Sequence, residues 1–118
     1  IKQEYQCRCI QVTEQNRKQV ELLLQGKIID TPGHTADSIS LLLNDGSLFC
    51  GDAAMNGLPS LHRITIWAED KTAFLKSWET IIALKPNLIY PGHGKPFEYE
   101  DLKINLKRAK NMELLPIQ

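Results

Sequence analysis

The sequence lacks the features that would place it outside the ordinary globular class. It has no net charge, because 14 basic residues balance 14 acidic ones, so no long-range field draws it to nucleic acid or to an anionic membrane. No apolar run approaches the roughly 20 residues that a membrane-spanning helix needs. Three cysteines, an odd number, do not make a disulfide scaffold and favour a reducing compartment. We therefore expect a soluble, cytoplasmic protein that binds neither nucleic acid nor membranes.

The length and the composition suffice for one domain. The 118 residues are 42% hydrophobic and 24% charged, which is an ordinary globular composition with enough apolar surface for a single core. The sequence has no internal repeat, linker or low-complexity segment. We therefore treat residues 1–118 as a single domain.

The first half of the chain has the patterns of strands. Residues 1–26 predict extended structure, in which the apolar run 20–24 forms the second strand of a hairpin. Between two further apolar runs lies Asn44-Asp45-Gly46, where glycine tolerates the positive φ of a tight turn. This segment predicts a second hairpin.

The second half of the chain changes to a helical period. From Asp70, a plausible N-cap, apolar residues recur at helical spacing up to Pro86, which predicts a helix of about four turns. A short buried strand then ends at Pro91. Residues 98–112 predict a closing helix, with acidic residues first and basic residues later, as suits the helix dipole. The order of elements predicts the α/β or α+β class.

Three candidate metal ligands each follow a glycine where a predicted strand gives way to a loop. They are His34, Asp52 and His93, and they are so far apart in sequence that only a folded sheet could bring them together. Glycine allows a sharp bend, so the next side chain can leave the end of the sheet toward a common point. Imidazole and carboxylate together suit zinc, iron or manganese.

These motifs resemble the C-terminal half of the metallo-β-lactamase superfamily of metal-dependent hydrolases. The matching stretches are TPGHTADSISLLL, GSLFCGDAAM and LIYPGHGKPF. The resemblance implies half of an αββα sandwich, with a mostly antiparallel or mixed sheet and helices on one face. It makes His34 a ligand of one zinc ion, Asp52 the catalytic carboxylate that bridges two, and His93 a ligand of the second. Such a centre activates water for attack on an ester, thioester, lactone or lactam.

The sequence departs from the superfamily in its histidines. It contains only His34, His62 and His93, without the His-x-His-x-Asp-His cluster of the superfamily's N-terminal half. Three ligands cannot fill two coordination shells, so we expect this chain by itself to be inactive. The expected partners are an N-terminal half or a second copy of the chain, together with a small-molecule substrate.

An alternative is a non-catalytic half-domain. The run ISLLL at 39–43 has apolar residues on both faces of its strand, and the two predicted helices can cover only one. The other face needs a cover, so we expect pairing with another protein or, more specifically, a homodimer. Nucleic-acid processing has little support, because the chain has no interleaved basic and aromatic residues.

Other reactive side chains admit two interpretations each. Cys7 and Cys9 could form half of a metal site, but two residues on one face of a strand favour a core or an interface. Cys50 is expected to be buried. His62 lies in a segment that would border the superfamily's substrate groove, although a surface loop histidine is the preferred interpretation.

Polar and aromatic neighbours of the motifs are assigned supporting roles. Thr35 and Ser38 are expected to make hydrogen bonds around the ligands or within the turn, and no more. Trp67 and Trp78 are expected to be packing residues rather than substrate platforms.

Overall fold

The computed structural model describes residues 11–57, 63–65 and 67–115. A short helix precedes three strands, and a helix, a strand and a last helix follow. The elements are α1 Arg17–Leu24, β1 Gly26–Asp30, β2 Ile39–Leu43, β3 Ser47–Gly51, α2 Lys71–Leu84, β4 Leu88–Pro91 and α3 Glu100–Asn111. This combination of helices and strands confirms the α+β class.

The four strands form one mixed sheet in the order β1-β2-β3-β4. β2 is antiparallel to both β1 and β3, whereas β4 is parallel to β3. Strands β1, β3 and β4 therefore run in the same direction, and their carboxyl ends meet at one edge of the sheet. The residues that follow these three strands are brought to that edge.

One face of the sheet carries the hydrophobic core. Leu48 and Cys50 alternate along β3, Ile89 lies beside them on β4, and all three are buried. Helices α2 and α3 cover this face, since their buried residues belong to the same cluster. These helical residues are Phe74, Trp78, Ile81, Leu102 and Ala109. The prediction of helices on one face is thereby confirmed.

The opposite face is apolar and partly open to solvent. Strand pairing places Leu41, Phe49 and Tyr90 side by side on this face, and Ile39 shares it. The side chains of Phe49 and Ile39 are 43% and 39% exposed, and the Phe49 and Tyr90 rings stack with centroids 4.9 Å apart. The run at 39–43 thus has apolar residues on both faces, as its sequence predicted.

The extended structure predicted for residues 1–26 is wrong where the structure describes that segment. Residues 17–24 form α1, which ends at Gln25 in the left-handed conformation. Leucine is a good helix former, so a run of leucines is compatible with a helix as well as with a strand. Leu22 and Leu23 are 80% and 70% exposed, so the run lies outside the core.

Helix α1 lies against the edge of β1 that faces away from β2. Glu21 Oε2 accepts a hydrogen bond from the Ile28 amide at 2.7 Å, and Arg17 Nη2 donates to the Ile28 carbonyl at 2.7 Å. Side chains one helical turn apart thus satisfy the two backbone groups that Ile28 presents outward. This arrangement protects an edge that could otherwise pair with another strand.

The second hairpin and the later helices agree with prediction. Gly46, at φ 94°, lies in the turn between β2 and β3, where the Ser47 amide donates to the Asp45 carboxylate and holds the pKa of Asp45 below its ordinary value. Asp70 caps α2 by accepting from the Ala73 amide at 3.1 Å. In α3, Leu102 and Ala109 are buried.

No helix in the described ranges is long and apolar enough to cross a membrane. Cys7, Cys9 and His62 lie outside the described residues, so their two interpretations stay open.

Candidate metal centre

The three predicted ligands meet at the carboxyl-end edge of the sheet. His34 follows β1, Asp52 follows β3 and His93 follows β4. His34 Nε2 lies 3.4 Å from Asp52 Oδ2, and His93 Nδ1 lies 2.9 Å from Asp52 Oδ1. The carboxylate therefore stands between two imidazoles, each of which contacts a different oxygen.

The orientation of His34 is fixed by a backbone carbonyl. His34 Nδ1 lies 2.7 Å from the Trp67 oxygen. Because a carbonyl only accepts, Nδ1 carries the proton, and Nε2 of the neutral ring is an acceptor. Nε2 faces the Asp52 carboxylate, which is also an acceptor. Two acceptors 3.4 Å apart make no hydrogen bond to each other, and a proton on Nε2 or a cation held by both atoms would make the contact favourable.

The Trp67 side chain packs only in part against the rest of the protein. It is 39% exposed, whereas Trp78 is completely buried as expected. The part of Trp67 that serves the site is its carbonyl, in a segment that forms a backbone bridge to Leu115. A backbone carbonyl leaves no signal in the sequence, so sequence reasoning had no means of finding it.

His93 is the most exposed of the three ligands. Its side chain is 59% exposed, compared with 31% for Asp52 and 19% for His34. The Nδ1–H of His93 donates to Asp52 Oδ1, which leaves Nε2 as the free acceptor of a neutral ring. The loop that carries His93 is attached to the end of β3 by a hydrogen bond from the Gly92 amide to the Gly51 carbonyl at 2.8 Å.

Helix α2 holds the loop of His34 in place. Ser77 Oγ donates to the Pro32 carbonyl at 2.6 Å. At the start of the helix, the amides of Glu69 and Asp70 donate to the carbonyls of His34 and Gly33 at 3.1 and 3.0 Å. The loop before β2 is therefore tied to the helix by three bonds that do not involve the imidazole.

Thr35 and Ser38 act within the turn, as predicted. Their hydroxyl oxygens are 2.6 Å apart, and Thr35 Oγ1 also donates to Asp37 Oδ1 at 2.9 Å. The side chains thus close the loop around His34.

Cys50 is a buried strand residue, also as predicted. Desolvation raises the pKa of its thiol to about 11, although hydrogen bonds to backbone carbonyls act in the opposite direction. A thiol with this pKa is protonated at neutral pH and is a poor metal ligand.

The three side chains fit a metal in chemical type but not in number. Donors about 2.0–2.1 Å from a tetrahedral zinc ion lie roughly 3.4 Å apart, which matches the separation of His34 Nε2 and Asp52 Oδ2. Within the part of the chain that the structure describes, however, no group of three or more His, Cys, Asp or Glu side chains is arranged to hold a metal ion. The physical reason is that each imidazole converges with only one carboxylate oxygen, so each coordination shell is incomplete.

Comparison with known proteins identifies the origin of this arrangement. No protein-family model matches the chain. The Drosophila melanogaster protein named beta-lactamase-like protein 2 homolog is 39% identical over 93 residues, which are 75% of this chain and 30% of that protein. A hydroxyacylglutathione hydrolase of Nitrosococcus oceani is 38% identical over 72 residues, 57% of this chain and 26% of the relative.

Comparison with solved structures agrees with the sequence comparison. An archaeal metallo-β-lactamase superfamily protein from Sulfolobus tokodaii superposes with a TM-score of 0.62 and 26% identity, over 79% of this chain and 36% of that one. The chain belongs to the metallo-β-lactamase superfamily. It spans only about 30% of the curated Drosophila relative, and such partial coverage fits the C-terminal half of a superfamily domain. One of the two relatives above is named as a hydrolase.

Proposed function

We propose that the chain is the C-terminal portion of a metal-dependent hydrolase. His34 would bind one metal ion, His93 a second, and Asp52 would bridge them. The observation that carries this proposal is the pair of acceptors, His34 Nε2 and Asp52 Oδ2, which face each other over 3.4 Å while the Trp67 carbonyl keeps the proton on the other nitrogen. A cation held by both atoms would satisfy the pair, as would a proton on Nε2, and the metal content of the protein distinguishes the two.

A bound metal pair would supply a water molecule that ionises near neutral pH and would polarise the scissile carbonyl. The substrate class that fits this chemistry is an ester, thioester, lactone or lactam. Zinc suits the histidine and aspartate donors, and iron or manganese are the alternatives. The remaining ligands must come from residues other than the three that meet here, either from an N-terminal half or from a second copy. The cytoplasmic location likewise stays a prediction from the cysteine content.

The test is the metal content per chain, measured by plasma mass spectrometry on protein purified without chelators and without a metal-binding tag. The variants are His34→Gln and Asp52→Asn, each of which removes one candidate metal ligand with little change in size. Asp45→Asn is the matched control, because Asp45 lies in the hairpin turn at the opposite end of the sheet. Bound zinc, iron or manganese that is lost in the two site variants and kept in the control supports the proposal. Metal-free wild-type protein, or equal retention by Asp52→Asn, contradicts it.

A second candidate is a non-catalytic half-domain that pairs through its open sheet face. The observation that favours it is the exposed apolar face with the stacked Phe49 and Tyr90 rings. Apolar residues in contact with one another at the surface are typical of interaction sites. A second copy presenting the same face would cover it about a two-fold axis, so we propose a homodimer.

Sedimentation at micromolar concentration tests the dimer. We expect Phe49→Arg to shift the chain toward the monomer, because a cation in the apolar contact would be desolvated without a partner. Leu22→Arg is the control, since Leu22 is exposed on α1 and not on the sheet. A wild-type monomer, or dissociation caused equally by both substitutions, would rule out pairing through this face.

A further inference from the structure

The loop that carries His93 rests directly on Asn56. The backbone amide of Asn56 donates to the His93 carbonyl at 3.1 Å, and its side-chain Nδ2 donates to the Lys95 carbonyl at 2.8 Å. Between these two attachments lies Gly94, with a φ of 91°. A Cβ at this position would collide with the Asn56 carbonyl oxygen. The contact is therefore as close as two backbones allow.

Arg63 determines which way the side-chain amide of Asn56 faces. Arg63 Nη1 donates to Asn56 Oδ1 at 2.7 Å. Because the amide oxygen accepts this bond, the NH₂ group is directed to the other side, toward Lys95. Arg63 is held in turn by Asp101 of α3, whose Oδ2 accepts from Nε at 3.1 Å and from Nη2 at 3.0 Å. The guanidinium also lies over the Phe97 ring, 5.0 Å from its centroid.

The backbone of Arg63 is in an unusual conformation. Its φ is 69°, which non-glycine residues rarely adopt. Such a conformation persists only where the surroundings hold it. Here the Arg63 carbonyl accepts from the Met55 amide at 3.1 Å, next to Asn56, while the side chain makes the bonds described above. Strain and hydrogen bonding thus coincide at the residue that orients Asn56.

We propose that Asn56 is a positioning residue for His93, and that Arg63 and Asp101 fix the side-chain amide of Asn56. The chain of contacts runs from α3 through the guanidinium and the amide to the loop of His93. Because the imidazole itself is 59% exposed, its direction depends on the backbone that carries it. Asn56 therefore sets the approach of His93 Nδ1 to the Asp52 carboxylate. This inference rests on the proposed role of His93 as a metal ligand.

The experiment is nitrogen-15 NMR of the histidine side chains in the metal-free 118-residue chain, at a fixed pH at which the imidazoles are neutral. In the wild type, His93 is expected to be the Nδ1–H tautomer, because Nδ1 donates to Asp52. In Asn56→Ala we expect His93 to lose this state and revert to the Nε2–H form that free imidazoles favour. His34 is the internal reference, since the Trp67 carbonyl keeps its proton on Nδ1.

Two further variants keep the test decisive if the alanine substitution prevents folding. Asn56→Asp preserves size but removes the donor to the Lys95 carbonyl, and Arg63→Gln removes the fork that orients the amide. In both variants His93 is expected to lose its hydrogen bond to Asp52 and to revert to the Nε2–H form as well. The matched control is Asn105→Ala, since Asn105 Nδ2 donates to the Asp101 carbonyl without contacting the loop of His93. We expect the control to leave both histidines unchanged.

An unchanged His93 tautomer in the folded Asn56 variants would overturn the inference. So would a change of His34 and His93 together in Asn105→Ala, since that would mean general loosening. The measurement needs no metal, so its result is separate from that of the metal analysis. A released His93 in protein that binds no metal would preserve the positioning role and reject only the ligand role.

Discussion

Trp78 Nε1 donates a hydrogen bond to the carbonyl of Ala53 at 2.8 Å, so a large, fully buried side chain of the core is bonded to the residue next to Asp52. The indole is on the face of α2 that packs against the sheet, and it is completely buried. The core therefore stabilises the fold and also fixes the loop that presents the candidate bridging carboxylate.

Replacing Trp78 by Phe should leave the Ala53 carbonyl without its donor and a small void in the core. An unsatisfied buried acceptor costs about 1–3 kcal/mol, in addition to the lost contacts. Urea unfolding measures the change in free energy. Ile81→Val, in the same cluster, is the control for lost volume alone and should cost about 0.5–1.5 kcal/mol. A smaller loss for Trp78→Phe than for this control would contradict the importance of the hydrogen bond.

Gly33→Ala should destabilise the chain more than Gly51→Ala. Both glycines have positive φ, at 140° and 55°. An added Cβ at Gly33 would collide with the backbone of Phe74 in α2, whereas at Gly51 it would meet nothing within 4 Å. Gly51→Ala is therefore the control, because it carries only the cost of an alanine at positive φ, about 1–2 kcal/mol. Thermal unfolding compares the stability of the two variants. Equal losses would mean that the loop of His34 is not packed tightly on the helix.

Asp70→Ala should lower stability by about 1 kcal/mol, because the side chain caps α2 through the Ala73 amide. Asp70→Asn retains an oxygen acceptor and should cost clearly less. Chemical denaturation of the three proteins gives the comparison. If alanine and asparagine were equally costly, the carboxylate would be acting by its charge rather than as a cap.

Cys50 should resist alkylation in the folded chain. Its pKa is raised from 9.0 to about 11, which lowers the thiolate fraction at pH 8 about 100-fold, and burial adds to this protection. Iodoacetamide labelling followed by peptide mass spectrometry, with and without denaturant, measures the ratio. Rapid labelling of Cys50 in the native protein would mean that the strand opens readily.

The same shift gives a pH dependence with a definite sign. Between about pH 9 and pH 11 the native thiol keeps a proton that the unfolded chain has released, so stability falls as the pH rises over that range. The contribution is fully present below pH 9. Cys50→Ala should remove this part of the slope. An unchanged slope in that variant would assign the loss to other groups.

Local sequence signals were sufficient where one short-range interaction dominates. Gly46 determines its turn, Asp70 caps its helix, and the alternation in 47–51 places Leu48 and Cys50 in the core. The same signals failed at α1. A run of leucines near the surface has the composition of a buried strand, and only its contacts with β1 distinguish the two.

The sequence by itself determined the superfamily motifs and the residue types of the candidate site, His34, Asp52 and His93. Their meeting was decided by tertiary structure, because it requires β1, β3 and β4 to end at the same edge of one sheet. Groups without a sequence signature also contact the two histidines or their loops. The Trp67 carbonyl holds one ring and the amide of Asn56 supports the loop of the other, since hydrogen-bond partners depend on which segments the fold brings together.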